Sequence, residues 1–571
     1  MIRARRVLLL IILFLAAGVL PVFSLYQADI RYSGAGEVIP VGSRVYDLFD
    51  DLFLLCGHTT PSTSRPWTVS EARSELSKIN ISALSSHARK LYDEISAIIC
   101  ADKDHDLFVE FSLSPEVYVH SNSDFCLEEY WNYGYTERNP LAYAGINAYQ
   151  KGFSFHMELS YGLSRAGSGD TIVSLRDYVE NSLGKTYEGV GDAANEFGFS
   201  GELEDVRVSS SSEVFSPVFV FNGIGPADLE TPRAAYLTYA CDGFSIGFYR
   251  GRKVWGRSRM GNFIYDEHVE RYHYISAKTF NSAFAFDFTI MAPEAYLGGN
   301  NYTRDYGPSR RFFLSHRLEV QMMDNMKLAI SENVMYLASY FADFQYMNPA
   351  NLFHNNVNSG QFNAIAHVEF EYAPCSGLQL YSQLVVDQGS VPFFEDSADE
   401  DLAAGLTIGA EYLFAAGEGL IDMNLEAVYA TPALYRRDAP DFIIATGSRI
   451  SDNYLSIPAF TYMGFRYGGD TLGFRFDAEY KRDGLHVYAN QSVILNGSFT
   501  KYDRYIPGMF SDVFLSGEIT AVSLSDVGVS YSFDLPGKID CTLFADACLI
   551  YYDSNTDIQL SCGAKASYRK R

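Results

Sequence analysis

Two periodicities divide the chain. Between residues 40 and 100 apolar positions recur every three or four residues, and from about Asp106 to the end they alternate with polar ones. In the first region Ser43 precedes Val45, Leu48, Phe49, Leu52 and Leu55, with Gly57 placed as a stop. Thr68 and Glu71 form a capping-box pattern ahead of Ala72, Leu76 and Ile79, and Ile81, Leu84, Ala88, Leu91, Ile95 and Ile98 make a third apolar stripe. This spacing predicts three short amphipathic helices packed as a small bundle. In the second region Phe153 to Leu163 carries an apolar residue at every odd position, and Leu472 to Lys481, Leu314 to Met322 and Ala283 to Ile290 alternate equally cleanly. Arg317, Glu319, Arg475, Asp477 and Glu479 all fall on the polar phase. Period two predicts strands. Apolar side chains facing lipid and charges facing a wet lumen are the arrangement of a transmembrane barrel.

Turn lengths favour the barrel over a soluble sandwich. Short links at 150–152, 242–243, about 281, 324–325, 375–377, 415–419, 468–470 and 536–537 alternate with long ones at 121–139, 164–231, 250–268, 293–310, 337–361, 388–400, 430–458 and 492–515. Tight periplasmic turns and long outer loops produce this alternation. Taking Leu472 to Leu495 as one long strand bulged at 482–484, the count is about 18 strands. An even number returns the C-terminus to the periplasm, beside the helices. Tyr568 is the nearest candidate for the terminal aromatic of such barrels.

The first residues add a compartment. Arg3, Arg5 and Arg6, an apolar run from Val7 to Leu20 and small residues near Ser24 predict a secretory signal peptide over residues 1–24. The organisation that follows is a periplasmic helical segment over 25–104 and an outer-membrane β-barrel over 105–571. No later stretch is long and apolar enough for a spanning helix.

Composition fits this reading. A mean hydropathy of −0.06 is what alternation yields when lipid-facing and lumen-facing residues cancel within each strand. The 41 Phe and 41 Tyr beside 3 Trp suit strands and interfacial girdles. A net charge of −26 excludes a nucleic-acid surface. The eight Cys show no metal or redox spacing, and Cys541 and Cys548 face opposite sides of one strand. Cys56 could pair with Cys100 or stay an unpaired apolar thiol. No catalytic signature, metal-ligand pattern or cofactor motif occurs, so the expectation is a non-enzymatic protein with neither metal nor cofactor. The acidic run Glu395 to Asp401 reads as a solvated outer loop.

One stretch departs from the acidic background. Arg250, Arg252, Lys253, Arg257 and Arg259 surround Trp255 in Arg250-Gly-Arg-Lys-Val-Trp-Gly-Arg-Ser-Arg259, at the mouth of a predicted strand. Arginine offers forked donors to hydroxyl and carboxylate oxygens, and tryptophan offers a flat face for a sugar ring. The stretch reads either as an acidic-glycan contact or as an inward-folded loop whose arginines pair with lumen carboxylates.

The residues here resemble the Wzi family of capsule-assembly outer-membrane proteins. The resemblance rests on Gly251-Arg252, Val254-Trp255-Gly256 and Gly261-Asn262; on His316-Arg317-Leu318 and Glu332; on Asn348-Pro349, Phe353-His354-Asn355 and Asn358; and on Gly377 to Gln383 with Asp387. It implies an 18-stranded barrel with a lectin-like role that binds and anchors surface polysaccharide. Arg250, Arg252, Trp255, Arg257 and Asn355 are the implied sugar contacts. The implied partners are outer-membrane lipid, surface polysaccharide and the outer-membrane assembly machinery. A porin-like channel and a surface adhesin are the competing classes. Residues 46–79, with Arg65-Pro-Trp-Thr-Val-Ser-Glu71, also resemble an S-layer-homology unit; a plug or docking bundle is the plainer alternative.

Overall fold

The computed structural model describes residues 32–99 and most of the chain from 105 onward. The main stretches outside the description are 1–31, 122–140, 164–233 apart from three short strand pieces, 294–309, 339–361 apart from Asn348, and 389–400. The stretch expected to be a signal peptide, Cys100, Asn355 and most of the acidic run therefore lie outside the described residues.

The strands form one closed antiparallel barrel. Counting His105–Leu113 with Glu116–His120 as one strand broken at Pro115, and Ala227–Asp228 with Ala234–Cys241 as another, the wall has 18 strands. Closure comes from Asn555–Lys570, which pairs with both pieces of the first strand. Alternation is clearest in the central strands of the wall. In Gly419–Ala430, Asp422, Asn424 and Glu426 point inward and are buried, while Met423 and Leu425 point outward and are exposed. Phe248, Leu425 and Val527, at 60%, 62% and 53% exposure, belong to this outward apolar belt. An apolar belt around a closed barrel has lipid as its natural solvent.

The strand total stands, but its partition changes at two places. Leu472 to Leu495 is not one strand: Thr471–Arg482 and Leu485–Asn496 are paired neighbours joined at Asp483-Gly484, both with positive φ. An Asp-Gly pair in this conformation makes the tight turn that matches strand twist. Residues 458–468 are not wall, because Ser456–Tyr462 pairs with Ile443–Ile450 in a hairpin inside one loop that runs from 431 to 470.

The helices are α1 Arg44–Leu55, α2 Val69–Leu76 and α3 Ser86–Ile99. Ser43 caps α1 and Thr68 caps α2. The third helix starts later than its stripe suggested: Ile81–Ala83 is a separate 3-10 turn capped by Asn80, and Ile81 is exposed. Trp67, Phe49, Leu52, Ile95 and Ile99 form the core of the bundle.

This bundle covers the short-turn end of the barrel. Gly377 N–H donates to Leu54 O (2.7 Å), Ser376 Oγ to Leu55 O (2.6 Å), Thr59 N–H to Asp324 O (3.1 Å) and Ser70 Oγ to Cys241 O (2.8 Å). Lys90 pairs with Asp483. Bonds to turns this far apart around the rim hold the bundle across the opening. Cys56 is a free, half-buried thiol, and Cys541 and Cys548 lie on opposite faces, Cys548 inward and buried.

Candidate functional site

Two segments enter the lumen from opposite ends and meet. From the short-turn end comes 59–66, the polar link between α1 and α2. Thr60 Oγ1 donates to Glu371 (2.7 Å), its N–H donates to Gln379 (3.0 Å), and Thr63 Oγ1 donates to Glu369 (2.9 Å). Lys327 Nζ donates to the carbonyls of Thr60 (2.9 Å) and Pro61 (2.8 Å), and Lys278 Nζ to those of Ser64 (2.7 Å) and Pro66 (3.0 Å). A segment of small hydroxylated residues suits this place, because each buried backbone and side-chain group needs a partner.

From the long-loop end comes 252–269. Val254–Trp255 forms an antiparallel ladder with Ser64–Arg65, and Gly256 N–H donates to Thr63 O (3.3 Å). Gly256 has φ +109°, and a Cβ there would lie 2.3 Å from Gln383 Nε2, so only glycine fits. Below the ladder the loop's cations meet carboxylates of the wall. Lys253 pairs with Asp287 (2.7 Å), Arg257 with Glu411, and Arg259 with Glu411, Asp422 and Glu479, each at 3.0 Å. Glu426 accepts from Ser258 Oγ (2.7 Å) and from the N–H groups of Arg259 and Met260 (both 2.9 Å). Arg317, 1% exposed on its side chain, lies between Glu319 (2.7 Å) and Glu369 (3.0 Å).

Above the charges lies an apolar layer. Trp255, Met260, Phe263 and Tyr265 of the inward loop pack with Tyr435, Phe442, Tyr462 and Phe465 of loop 431–470, and one continuous buried cluster reaches the wall from Tyr236 round to Ile550. Tyr435 Oη ties the two loops by donating to Phe263 O (2.7 Å) while accepting from Phe465 N–H (3.0 Å). The polar phase of the strands is therefore not bathed in water where these loops sit: Arg317, Glu319 and Asp477 point inward as expected but are buried, because the lumen there is filled with protein. Between α1, α3, the inward loop and the wall remains a cavity of about 610 Å³ lined by residues of both signs, including Asp51, Arg259 and Lys481.

The sequence-derived residues divide accordingly. Trp255 is 0% exposed, its Nε1 donates to Asp287 (3.2 Å), and Lys253 and Arg317 sit over its ring at 5.2 and 5.9 Å. Arg257 stacks on Tyr381 at 5.6 Å beside its carboxylate. Both lie on the inward-folded loop, Trp255 bonded to Asp287 and Arg257 paired with Glu411. Arg250 follows Phe248 on the outward phase of Phe244–Gly251, half-buried at the strand's outer end, and Arg252 is half-buried at the start of the loop. Of the other resembling positions, Gln379 binds Thr60, Tyr381 donates to Glu426 (2.7 Å), Gln383 donates to Asn262 (2.7 Å), and Asp387 accepts from Tyr435 N–H (3.2 Å). Each of these four holds a filling segment or the wall residue that grips it. The residues that sequence reasoning missed are 59–66, Asp287, Glu371 and loop 431–470. Asp401, placed by sequence in a solvated loop, is buried and accepts from Tyr505 Oη and from the N–H groups of Gly508 and Phe510.

Two carboxyls on the helices give the docking a pH dependence. Burial pushes Asp51 of α1 up to about 7; Lys481 at 3.2 Å opposes this, and Asp422 and Asp47 add to it. Burial pushes Glu71 of α2 up to about 7 as well, with Lys278 at 3.3 Å opposing and Asp287 and Glu75 adding to it. A carboxyl with a raised pKa binds more protons docked than free in water, so docking weakens as pH rises from about 4 to 7 and strengthens on acidification. Limited proteolysis within 57–66 is expected to run several-fold faster at pH 8 than at pH 5.5, and Asp51→Asn should flatten the difference. Equal rates at both pH values would show that the two carboxyls do not control docking.

No family model matches the chain, and no curated protein matches it. Among solved structures it is similar to Wzi, an outer-membrane protein involved in group 1 capsule assembly in Escherichia coli and a carbohydrate-binding β-barrel, at 13% identity and a TM-score of 0.52, covering 91% of this chain and 97% of that one. It also matches OccAB4 of Acinetobacter baumannii at 10% identity and a TM-score of 0.38, covering 81% and 98%, and OpdK of Pseudomonas aeruginosa with vanillate at 7% and 0.39, covering 81% and 99%. With its closed 18-stranded wall and outward apolar belt, the chain is an outer-membrane β-barrel.

Proposed function

We propose that this barrel holds an acidic polysaccharide at the cell surface and does not act as an open pore or an enzyme. The observation that carries the reading is the filling of the lumen from both ends: 59–66 and 252–269 are joined by a backbone ladder and pinned by buried ion pairs. A transport pore has no use for a lumen crossed by paired charges and an apolar layer. The likeness to a carbohydrate-binding barrel supports the same reading. An acidic polymer would be repelled by a chain of net −26, and by inward residues such as Glu110, Glu116, Asp526 and Asp557 on the strands that close the barrel. Contact therefore belongs at the outer rim, where the half-buried Arg250 and Arg252 lie and where a guanidinium suits carboxylate and hydroxyl oxygens. Trp255 and Arg257 support that rim from beneath.

In a planar bilayer the purified protein is expected to show no steady conductance. On a glycan array it is expected to retain acidic polysaccharides, with at least about tenfold weaker binding in the Arg250→Ala/Arg252→Ala variant, the loss of two charge-assisted contacts at a wet surface. Steady open-channel current would assign the protein to the transport class. Undiminished binding in the double variant would place the sugar contact elsewhere.

A further inference from the structure

The outer loop between Leu485–Asn496 and Thr520–Leu535 is held from within by hydrogen bonds and carries a group of apolar residues on its outside. From within, Asp470 accepts from the N–H groups of Phe499 (3.0 Å) and Ser516 (2.8 Å), Asp401 from those of Gly508 (3.0 Å) and Phe510 (2.8 Å), and Arg436 donates to Thr500 O (2.6 Å). Phe499, Tyr505 and Phe510 pack on Ala403 and Ala433 to give the loop its own small core. The large apolar residues left outside are Ile506 (57% exposed), Met509 (43%), Val513 (37%) and Phe514 (57%), flanked by Ile519 (56%) and Leu402 (57%), while Thr500, Asp503 and Glu518 are exposed polar residues beside them. An apolar group of this size on a loop facing water is unusual unless it meets a partner.

Position identifies the partner. The Phe514 ring stacks on Tyr429 at 4.5 Å and 10°, and Tyr429 Oη donates to Phe514 O (2.8 Å). Tyr429 belongs to the outward phase of Gly419–Ala430, two turns of the alternation beyond the lipid-facing Leu425. Leu402 precedes Ala403–Ala416 on the phase of Leu406 and Ile408, and Ile519 precedes Thr520–Leu535 on the phase of Val527. The exposed set thus continues the lipid-facing belt past the strand ends and onto the loop. We infer that Ile506, Met509, Val513 and Phe514 form a ledge that lies among the acyl chains of the outer leaflet, anchoring this side of the rim in the membrane. Continuity with the belt is what selects acyl chains over a second copy of the chain.

The test uses the full-length protein refolded into vesicles of phosphatidylcholine brominated on the acyl chains. In Phe514→Trp the added emission is expected to be quenched to an extent comparable with that of Leu425→Trp in the belt, with heat-modified gel mobility reporting that both variants fold. Unquenched Phe514→Trp emission alongside quenched Leu425→Trp emission would overturn the ledge. The same result accompanied by a dimeric mass in detergent that Ile506→Asp abolishes would assign the face to a second copy instead.

Discussion

Asp287→Ala is expected to free the lumen segments while leaving the wall intact. Asp287 accepts from Ser64 Oγ (2.7 Å), Lys253 Nζ (2.7 Å) and Trp255 Nε1 (3.2 Å), and within the wall from Ser276 Oγ (2.7 Å) and Thr289 Oγ1 (3.0 Å). One carboxylate therefore joins the segment from the short-turn end, the loop from the long-loop end and the wall. Its removal strands the Lys253 ammonium, 0% exposed, among the rings of Trp255, Tyr265 and Tyr274 at 5.2–5.4 Å. Breaking a buried pair by deleting one partner costs about 3–5 kcal/mol, more than the rings return through cation–π attraction, which is worth about 2 kcal/mol when desolvated. The readout is the urea midpoint for exposure of the buried tryptophans, Trp67 and Trp255, which should fall well below that of the wild type while heat-modified mobility is retained. The Asp287→Leu/Lys253→Met pair should recover much of the loss, since an apolar pair of similar volume avoids the stranded charge. An Asp287→Ala midpoint equal to that of the wild type would show that the filling does not depend on this hub.

The barrel was legible because lipid and lumen impose opposite demands on alternate residues, and a 14-residue strand such as Arg310–Met323 writes that demand many times over. The Asp483-Gly484 turn is equally legible as chemistry, but the apolar continuity from Leu472 to Leu495 outweighs it, so the pattern predicts one strand where the structure has two. The filling of the lumen was not legible. Thr59 to Pro66 has no periodicity, because its partners Asp287, Glu319, Glu369 and Glu371 are supplied by strands more than 200 residues away. Period two says that Arg317 and Glu319 point inward; it cannot say whether water or protein meets them there. Trp255 shows the same limit. A tryptophan among arginines has one composition whether it faces a sugar or a salt-bridge network, and its pairing with Ser64–Arg65 cannot be read from it.

Replacing residues 252–268 by a short Gly-Ser link is expected to turn a silent barrel into a conducting, cation-selective one. The excision takes away the layer of Trp255, Met260, Phe263 and Tyr265 on which the outer part of the filling rests. It also removes Arg252, Lys253, Arg257 and Arg259. The carboxylates these cations met stay behind on the wall: Asp287, Glu411, Asp422 and Glu479. Water admitted to the lumen would solvate them as charges, and their field would favour cations along the opened path. In a bilayer bathed by unequal KCl concentrations, the reversal potential should take the sign of K⁺ preference. The preference should shrink between about 0.1 M and 1 M salt, as the screening length falls from about 10 Å to about 3 Å and no longer spans the opening. A variant that folds, as judged by heat-modified mobility, and stays silent would show that 59–66 and the helices close the lumen without loop 252–269. Anion preference would mean that the wall charge the loop compensates is not the one that governs the path.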